Sequence, residues 1–486
     1  DAMSKIKSLE IKIGLEVHCQ LTNLKTKLFC SCSSDYRGKE PNTLICPICM
    51  GMPGTLPVLN EKALEDAIMV ALALNSKISE RMLFFRKNYF YPDMPKNFQI
   101  SQYDKAGGVP FALGGYIQIN GKKVRIRRIQ LEEDPGKLSY DGTIESSNHT
   151  LVDYNRAGIA LIEIVTEPDM ETPKEARLFL EKLRSILEHL NVSDGSLEGS
   201  MRCDANISLK GGKRVEVKNI SSFKEVERAL NFEITRQKNL VLRGMVIGQE
   251  TRHWDETRRI TVSLRMKEEE QDYRYFPEPD LVPIIIPRER IKEIEQKMPE
   301  LPDERRKRFI EQYNLSPQSA EILTRSKAMA DFFEESVKIY GNPKEISNWM
   351  IGELSSYLNE KSIEIDELTL TSKQLVDLIK LIDEGVISRK MAKSVLQDML
   401  LTGKMAGDIV KEKGLEKILD KEYIGSIVEK ILKENPQAVK DAIFDKKAMN
   451  YLMGQLMKKT EGKIDPKMAS EVLRKRLSEL AKFITP

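Results

Sequence analysis

Apolar and polar residues alternate along Glu10-Ile-Lys-Ile-Gly-Leu-Glu-Val-His18, the period of a strand with one buried face. Glu16 and His18, two apart, therefore project together. The same period recurs downstream. Met201–Leu209 sets Met201, Cys203, Ala205, Ile207 and Leu209 against Arg202, Asp204, Asn206 and Ser208. Arg214–Lys218 sets Val215 and Val217 against Arg214, Glu216 and Lys218. Leu161-Ile-Glu-Ile-Val165 is apolar except for Glu163, and an isolated carboxylate in such a run is costly to bury without a cation. Asn120-Gly121, between Tyr116–Ile119 and Lys123–Ile129, predicts a hairpin. Apolar parity slips after Arg127-Arg128, from Val124 and Ile126 to Ile129 and Leu131, which predicts a bulge. In a regular strand Glu132 and Glu133 would face opposite ways. Because Asp134-Pro135-Gly136 ends the run beside them, both stay candidates for one face.

Helical periods lie between these strands. Asn60 caps a predicted helix over 61–75, marked by Leu64, Ile68, Ala71, Leu72 and Asn75. Thr172-Pro-Lys-Glu175 reads as a capping box with proline at the first helical position, and Ala176, Phe179, Leu180, Leu183, Leu187 and Leu190 follow on one face. Another capped helix begins near Ser222, with Glu225 three residues on. Arg86–Pro95, Gly248–Asp255 and Asp272–Asp280, dense in charge and aromatics, read as loops. The first is stiff enough to stack on a base or ribose, although such loops more often simply pack. From about Leu301 strand patterns give way to short capped helices, punctuated by Gly341-Asn-Pro343, Gly403 and Asn435-Pro436. The expected class is α+β, with an N-terminal antiparallel sheet that is apolar below and polar above, and an all-α C-terminal part.

The 486 residues suffice for about three domains. A net charge of +3 gives no field over the whole molecule, so any nucleic-acid contact must come from a local patch. One candidate patch is the C-terminal stretch. From Asp445 to Pro486 ten Lys/Arg stand against five Asp/Glu, with Lys458, Lys459, Arg474, Lys475 and Arg476 on helices expected at Ala448–Lys458 and from Asp465-Pro466. The plainer meaning of such charge is a solvated helix face. No apolar run nears the ~18 residues of a membrane span, and no signal-peptide pattern opens the chain, so the cytoplasm is the expected compartment. Four of the six cysteines cluster as Cys30-Ser-Cys32, thirteen residues, then Cys46-Pro-Ile-Cys49. This spacing favours a closed, structural four-thiolate zinc site over disulfides. Cys19 and Cys203 fall at apolar parity and read as core.

On one sheet, Glu16, His18, Glu163, Asp204 and Glu216 would gather with Glu132 or Glu133, ringed by Arg156, Arg202, Arg214 and Lys218. Hard oxygen ligands in that number suit magnesium, and magnesium among cations suits a nucleoside triphosphate. The chain holds neither a G-x-x-x-x-G-K-[ST] nor a G-x-G-x-x-G fingerprint, so ATP would lie on the sheet face.

The blocks Ile13-Gly-Leu-Glu-Val-His18, Lys87-Asn-Tyr-Phe-Tyr-Pro-Asp93, Leu131-Glu-Glu-Asp134, Val152-Asp-Tyr-Asn-Arg156, Leu161-Ile-Glu-Ile-Val165, Met201-Arg-Cys-Asp-Ala-Asn-Ile-Ser208, Gly248-Gln-Glu-Thr-Arg252 and Asp272-Tyr-Arg-Tyr-Phe-Pro-Glu-Pro-Asp280 occur in one order. Over nearly its whole length the chain thereby resembles GatB of the aspartyl/glutamyl-tRNA(Asn/Gln) amidotransferases. Ala160 departs from the family signature, which usually has proline there, and the four cysteines match those members that keep a zinc knuckle. The resemblance implies a catalytic cradle domain over 1–298, likened in fold to glutamine synthetase and carrying the knuckle at 30–49. It further implies a helical linker domain over 299–409 and a YqeY-like tRNA-binding tail over 410–486. It implies magnesium-ATP phosphorylation of the side-chain carboxyl of Asp-tRNA(Asn) or Glu-tRNA(Gln), then amidation by ammonia from the amidase subunit GatA, with GatC bracing the assembly. By the same resemblance Glu16, His18, Glu132, Glu133, Glu163, Asp204 and Glu216 are the magnesium ligands. Lys87, Asn88, Tyr89 and Tyr91, with Arg156, Arg202 and Lys218, are the residues expected to contact ATP. The competing reading is a zinc-stapled tRNA-binding scaffold whose acids are structural, but a scaffold has no need of so many acids on one face.

Overall fold

The computed structural model describes residues 9–105, 107–142, 146–266, 272–415 and 421–484. One compact unit comprises Asp1–Lys307 with Thr324–Lys327, and a second comprises Arg308–Leu323 with Ala328–Pro486.

The first unit is built on a ten-stranded sheet. Its strands are β1 (Ile11–Gln20), β2 (Lys77–Ile78), β3 (Ala112–Leu113), β4 (Tyr116–Ile119), β5 (Lys122–Glu133), β6 (Ala160–Thr166), β7 (Met201–Leu209), β8 (Val215–Ile220), β9 (Glu250–Asp255) and β10 (Ile260–Met266). They run in the order β10-β9-β8-β7-β1-β6-β5-β3-β2, with β4 also paired to β5. Every pairing is antiparallel except β8 with β9, so the expectation of an antiparallel sheet holds with one parallel pair. β1 is the central strand, with β6 on one side and β7 on the other. Its Ile13, Leu15, Val17 and Cys19 are wholly buried, as alternation required.

Helices α1 (Glu61–Ala73), α2 (Pro173–His189) and α3 (Phe223–Leu242) close the apolar face, and Ile68, Phe179, Leu183, Val226 and Leu230 join the core of the sheet. Each such side chain contributes roughly 1.5–3 kcal/mol by leaving water. Asn60, Thr172 and Ser222 cap the three helices as expected, each accepting from a backbone N–H three residues on. Neither Glu175 nor Glu225 closes a reciprocal box. Glu175 takes Lys122 and Glu225 takes the Trp254 indole, because each finds a tertiary donor. Asn75 ends α1 in the left-handed region (φ 56°) instead of extending the helix. Asn120 and Gly121 both have positive φ, and they close the expected hairpin.

All three expected loops are partly strand, Asp272–Asp280 through Phe276–Pro277. Gly248–Asp255 contains β9, whose charges are internal: Glu250 and Arg252 pair at 2.8 Å, and both meet α3 through Arg236 and the fully buried Glu233. Their charge read as a loop, whereas they satisfy one another within the sheet. Arg86–Pro95 begins in Phe85–Asn88, a strand between Phe98–Ser101 and Phe276–Pro277. Arg86 locks the latter pairing by a two-pronged bond to the buried Glu278 (2.7 and 2.9 Å).

The second unit is helical and holds two separate apolar clusters, one from Phe309 to Val410 and one from Ile424 to Leu477. Helices Lys446–Lys459 and Pro466–Ile484 fall where the tail pattern predicted them. Lys459 and Arg476 are engaged by Glu434 and Glu429, whereas Lys458, Arg474 and Lys475 are exposed. Among the described residues no helix is long and apolar enough to cross a membrane.

Asp66 of α1 is a test of burial against charge. It is wholly buried, with Asn23 at 3.2 Å and Lys62 at 3.6 Å as its partners, and burial pushes its carboxyl up to about 6 from 3.8. A folded-state value above the unfolded one means that stability falls as pH rises from about 4 to 6 and stays reduced above that. Asp66→Asn should therefore match the parent at pH 4 and exceed it at pH 7 by about 3 kcal/mol. Denaturant titrations at the two pH values measure this, and a gap that does not widen with pH refutes it.

Candidate active site

Register builds the site. Glu16 lies opposite Asp204, and His18 lies between Glu163 on one side and Arg202 on the other. Opposed residues of antiparallel strands share a face, so the acids of three strands meet on the polar side. Two bulges complete the set. At the first, Val165 pairs with Arg128 and Thr166 with Ile126, leaving Arg127 as the extra residue. This is the bulge the parity slip predicted, and it turns Arg128, Gln130 and Glu132 toward the polar face. At the second, Cys203 pairs with Ile220 and Ala205 with Val217, so Lys218 and Asn219 stand against Asp204 alone. Lys218 thereby reaches both Asp204 and Glu216, at 3.2 Å each.

Six of the seven expected metal ligands fall into two groups of three. His18, Glu132 and Glu163 bring one ligand atom each within 4.8 Å of one another, and so do Glu16, Asp204 and Glu216. His18 Nε2 lies 3.3 Å from both Glu132 and Glu163. Burial opposes its charge, but hydrogen bonds to these two carboxylates outweigh it and hold the imidazole well above its usual value. For Glu163 burial is likewise outweighed, by His18, Arg128 and Lys87, which draw its carboxyl down to about 2. Glu16 has the opposite fate. Burial and then the charges of Glu163, Asp204 and Glu216 push it up, the mark of acids crowded without enough positive charge.

Glu133 joins neither group. It faces the other way, beside the knuckle, where Lys96 pairs with it and Ile100 N–H donates to it at 3.0 Å. Lys87 and Tyr89 flank the face: Lys87 is within electrostatic reach of Glu163, and the half-buried Tyr89 phenol lies among Asp93, Glu132 and Asp134. Asn88 donates to Arg274 O (2.9 Å) and so serves the strand pairing. Arg202 holds the fully buried Asp134 at 2.7 Å, and Arg156 donates to the carbonyls of Pro135 and Gly136. Tyr91 and Arg214 are exposed. Sequence reasoning missed four contributors. Arg128 bridges Glu163 (3.3 Å) and Asp104 (3.0 Å), Ser101 donates to Glu132 (2.7 Å), Gln20 donates to Asp134 (2.8 Å), and Lys96 pairs with Glu133. Only Arg128 carried a signal, because the bulge that re-aims it was legible.

The donor sets fit the ions expected. Five carboxylates and one imidazole are a hard, oxygen-rich set of the magnesium kind. Arg128 Nε and Arg202 Nε are buried without a hydrogen-bond partner, spare donors beside that set for an anion. In the knuckle the four sulfur atoms of Cys30, Cys32, Cys46 and Cys49 lie within 4.8 Å of one another, a spread that suits one tetrahedral ion. Cys30, the Cys46 N–H (3.2 Å) and Lys27 hold the Cys49 thiol below its usual value, which favours the metal-binding thiolate. Cys19 and Cys203 are buried in the core, as expected.

The acid-rich sheet and the helical C-terminal part each match a known protein family. Residues 11–292 match the family model of the GatB/GatE catalytic domain, and residues 331–477 match that of the GatB domain. The GatB chains of aspartyl/glutamyl-tRNA(Asn/Gln) amidotransferases are similar throughout. That of Saccharolobus solfataricus is 53% identical over 96% of this chain and 99% of its own length. That of Carboxydothermus hydrogenoformans is 48% identical over 98% and 100%, and that of Thermotoga maritima 50% over 96% and 98%. The chain belongs to the GatB family of amidotransferase subunits.

Proposed function

We propose that this chain carries the kinase and amidation site of a tRNA-dependent amidotransferase. The observation that supports this most is the pair of three-ligand groups on one open sheet face, flanked by Arg128, Arg202 and Lys218. Six residues, Glu16, Asp204 and Glu216 with His18, Glu132 and Glu163, would hold magnesium and through it ATP. Bound magnesium neutralises phosphate oxygens and so eases phosphoryl transfer. Arg128 and Lys218 add fixed positive charge where charge develops, at no cost of reorganisation. The acceptor is the side-chain carboxylate of Asp-tRNA(Asn), Glu-tRNA(Gln) or both. Its oxygen bonds to the terminal phosphorus as the bond to ADP breaks. Ammonia, released by the amidase subunit GatA, then attacks the acyl carbon, phosphate leaves with the electron pair, and the nitrogen loses a proton. GatC completes the assembly, the knuckle takes a structural zinc ion, the tail over 410–486 binds tRNA, and the cytoplasm is the place of action.

The test is ATP consumption by the assembled complex. Hydrolysis should require a mischarged tRNA and should be absent with uncharged or correctly charged tRNA. Supplying Asp-tRNA(Asn) and Glu-tRNA(Gln) separately identifies the acceptor. A scaffold would bind these tRNAs and leave the ATP concentration unchanged.

A further inference from the structure

Phe90 is 85% exposed and Tyr91 53%, although both are large aromatics of one loop. The loop is held firmly. Tyr89 N donates to Asn97 O (3.2 Å), Met94 N to Tyr91 O (3.0 Å), Gly136 N to Asp93 O (2.8 Å), and the Tyr154 hydroxyl to Pro92 O (2.7 Å). The Tyr91 side chain lies beside that of Tyr140, on the hairpin formed by Lys137–Tyr140 and Thr150–Asp153. The result is an aromatic step displayed to solvent on a stiff support.

Its place is the rim of the acid-rich face. Tyr89 turns inward among Asp93, Glu132 and Asp134, while the next residue, Phe90, turns out. The same turns that clamp the loop line a cavity of about 240 Å³, where Arg37, Lys39, Lys137 and Arg156 outnumber Asp153 and Glu198. Arg37 also donates to Gln20 (2.5 Å), and Gln20 holds Asp134, so the cavity adjoins one end of the sheet face. Exposed aromatics beside a cationic hollow suit single-stranded nucleic acid, because every base offers a face to stack and every phosphate a charge to neutralise.

We propose that Phe90, with Tyr91 beside it, is the stacking platform for an unpaired base at the 3′ end of the aminoacyl-tRNA, whose backbone phosphates the adjoining cavity receives. This rests on the function proposed above, in which the reacting carboxyl arrives esterified to that unpaired end. A step at the rim then sets how far the terminal nucleotide reaches toward the ligand groups. The adenine of ATP has the same stacking face, and the experiment separates the two sources.

In the assembled complex Phe90→Ala should raise KM for mischarged tRNA about tenfold, with kcat and the KM for ATP within about twofold; Phe90→Trp should restore the parent value. Lys137→Gln should lower the slope of log KM for tRNA against log salt by about 0.7. The direct probe is a tRNA carrying 2-aminopurine in place of its 3′-terminal adenine. Its fluorescence should be quenched by the parent complex and not by Phe90→Ala. Unchanged quenching and unchanged KM for tRNA overturn the proposal, and a rise in KM for ATP alone assigns the step to the nucleotide instead. If the parent complex quenches the probe yet amidates neither tRNA, the platform stands and the proposed function fails.

Discussion

Glu163→Gln should leave the chain folded and lower mischarged-tRNA-dependent ATP hydrolysis by the assembled enzyme about 10²- to 10³-fold, the usual scale for losing one charged group at a developing charge. The substitution keeps shape and removes charge. Glu163 is ionised throughout the physiological range, since His18, Arg128 and Lys87 together overcome its burial. Neither of its direct partners is orphaned by the change. His18 keeps Glu132 at 3.3 Å, and Arg128 keeps Asp104 at 3.0 Å. No buried charge is stranded, so the large cost that follows a broken buried pair does not arise. What disappears is one anionic donor from the His18–Glu132–Glu163 group. Steady-state kinetics with thermal melts alongside decide the matter: a variant that melts normally and turns over normally removes Glu163 from the site.

The second large effect concerns zinc. Fresh, reduced protein should carry one zinc per chain, and Cys30→Ser or strong chelation should cost about 5 kcal/mol, the scale of a lost structural metal. At about 2–4 °C per kcal/mol that is a fall in melting temperature on the order of 10–20 °C. The segment between β1 and α1 has hardly any regular structure of its own, so an ion that ties its Cys30–Cys32 and Cys46–Cys49 turns together supplies folding free energy outright. The loss should not stop at the knuckle. Leu44 N–H donates to the Asn155 side chain, the Asn155 amide donates to Glu40 O, and Leu28 N–H donates to Gly158 O. The buried Lys27 donates to Leu44 O (2.8 Å). The turn carrying Arg156 is thus laced to the knuckle, and proteolysis should open both the segment around 25–55 and that turn. Less than about one zinc per chain, or cleavage confined elsewhere, counts against the site.

How much of this was legible depended on whether a signal was local. Strand parity needs only neighbours, so the polar face and the bulge at Arg127 were readable, and so were Glu16, His18, Glu163, Asp204 and Glu216 as one-sided residues. Glu133 shows where local reasoning stopped short. Once the bulge resets parity, Ile129 and Leu131 point to the core and Glu133 goes with them, while Glu132 joins His18. The proline-glycine turn that left both acids in play begins only after Glu133 has been placed by the strand. The strand character of Gly248–Asp255 was hidden for a different reason. Glu250 is buried and Arg252 half-buried because Glu233 and Arg236, on the preceding helix, neutralise them, and no short window contains that pairing. Ser101, Lys96 and Gln20 were invisible likewise, since each acts on a partner more than thirty residues away.

The central place of β1 has a consequence for synthesis of the chain. Among the described residues β1 is the earliest strand; it needs β6 and β7 for neighbours, and β7 ends only at Leu209. At the usual 5–20 residues per second, an amphipathic strand must wait on the order of 10–40 s before both of its edges are paired. Through that interval Ile11–Gln20 is a template for any passing strand. Ribosome pausing before residue 209 should therefore yield aggregates nucleated at Ile11–Gln20, and a chaperone that shields that strand should raise the yield of folded enzyme more than one acting on the helical part.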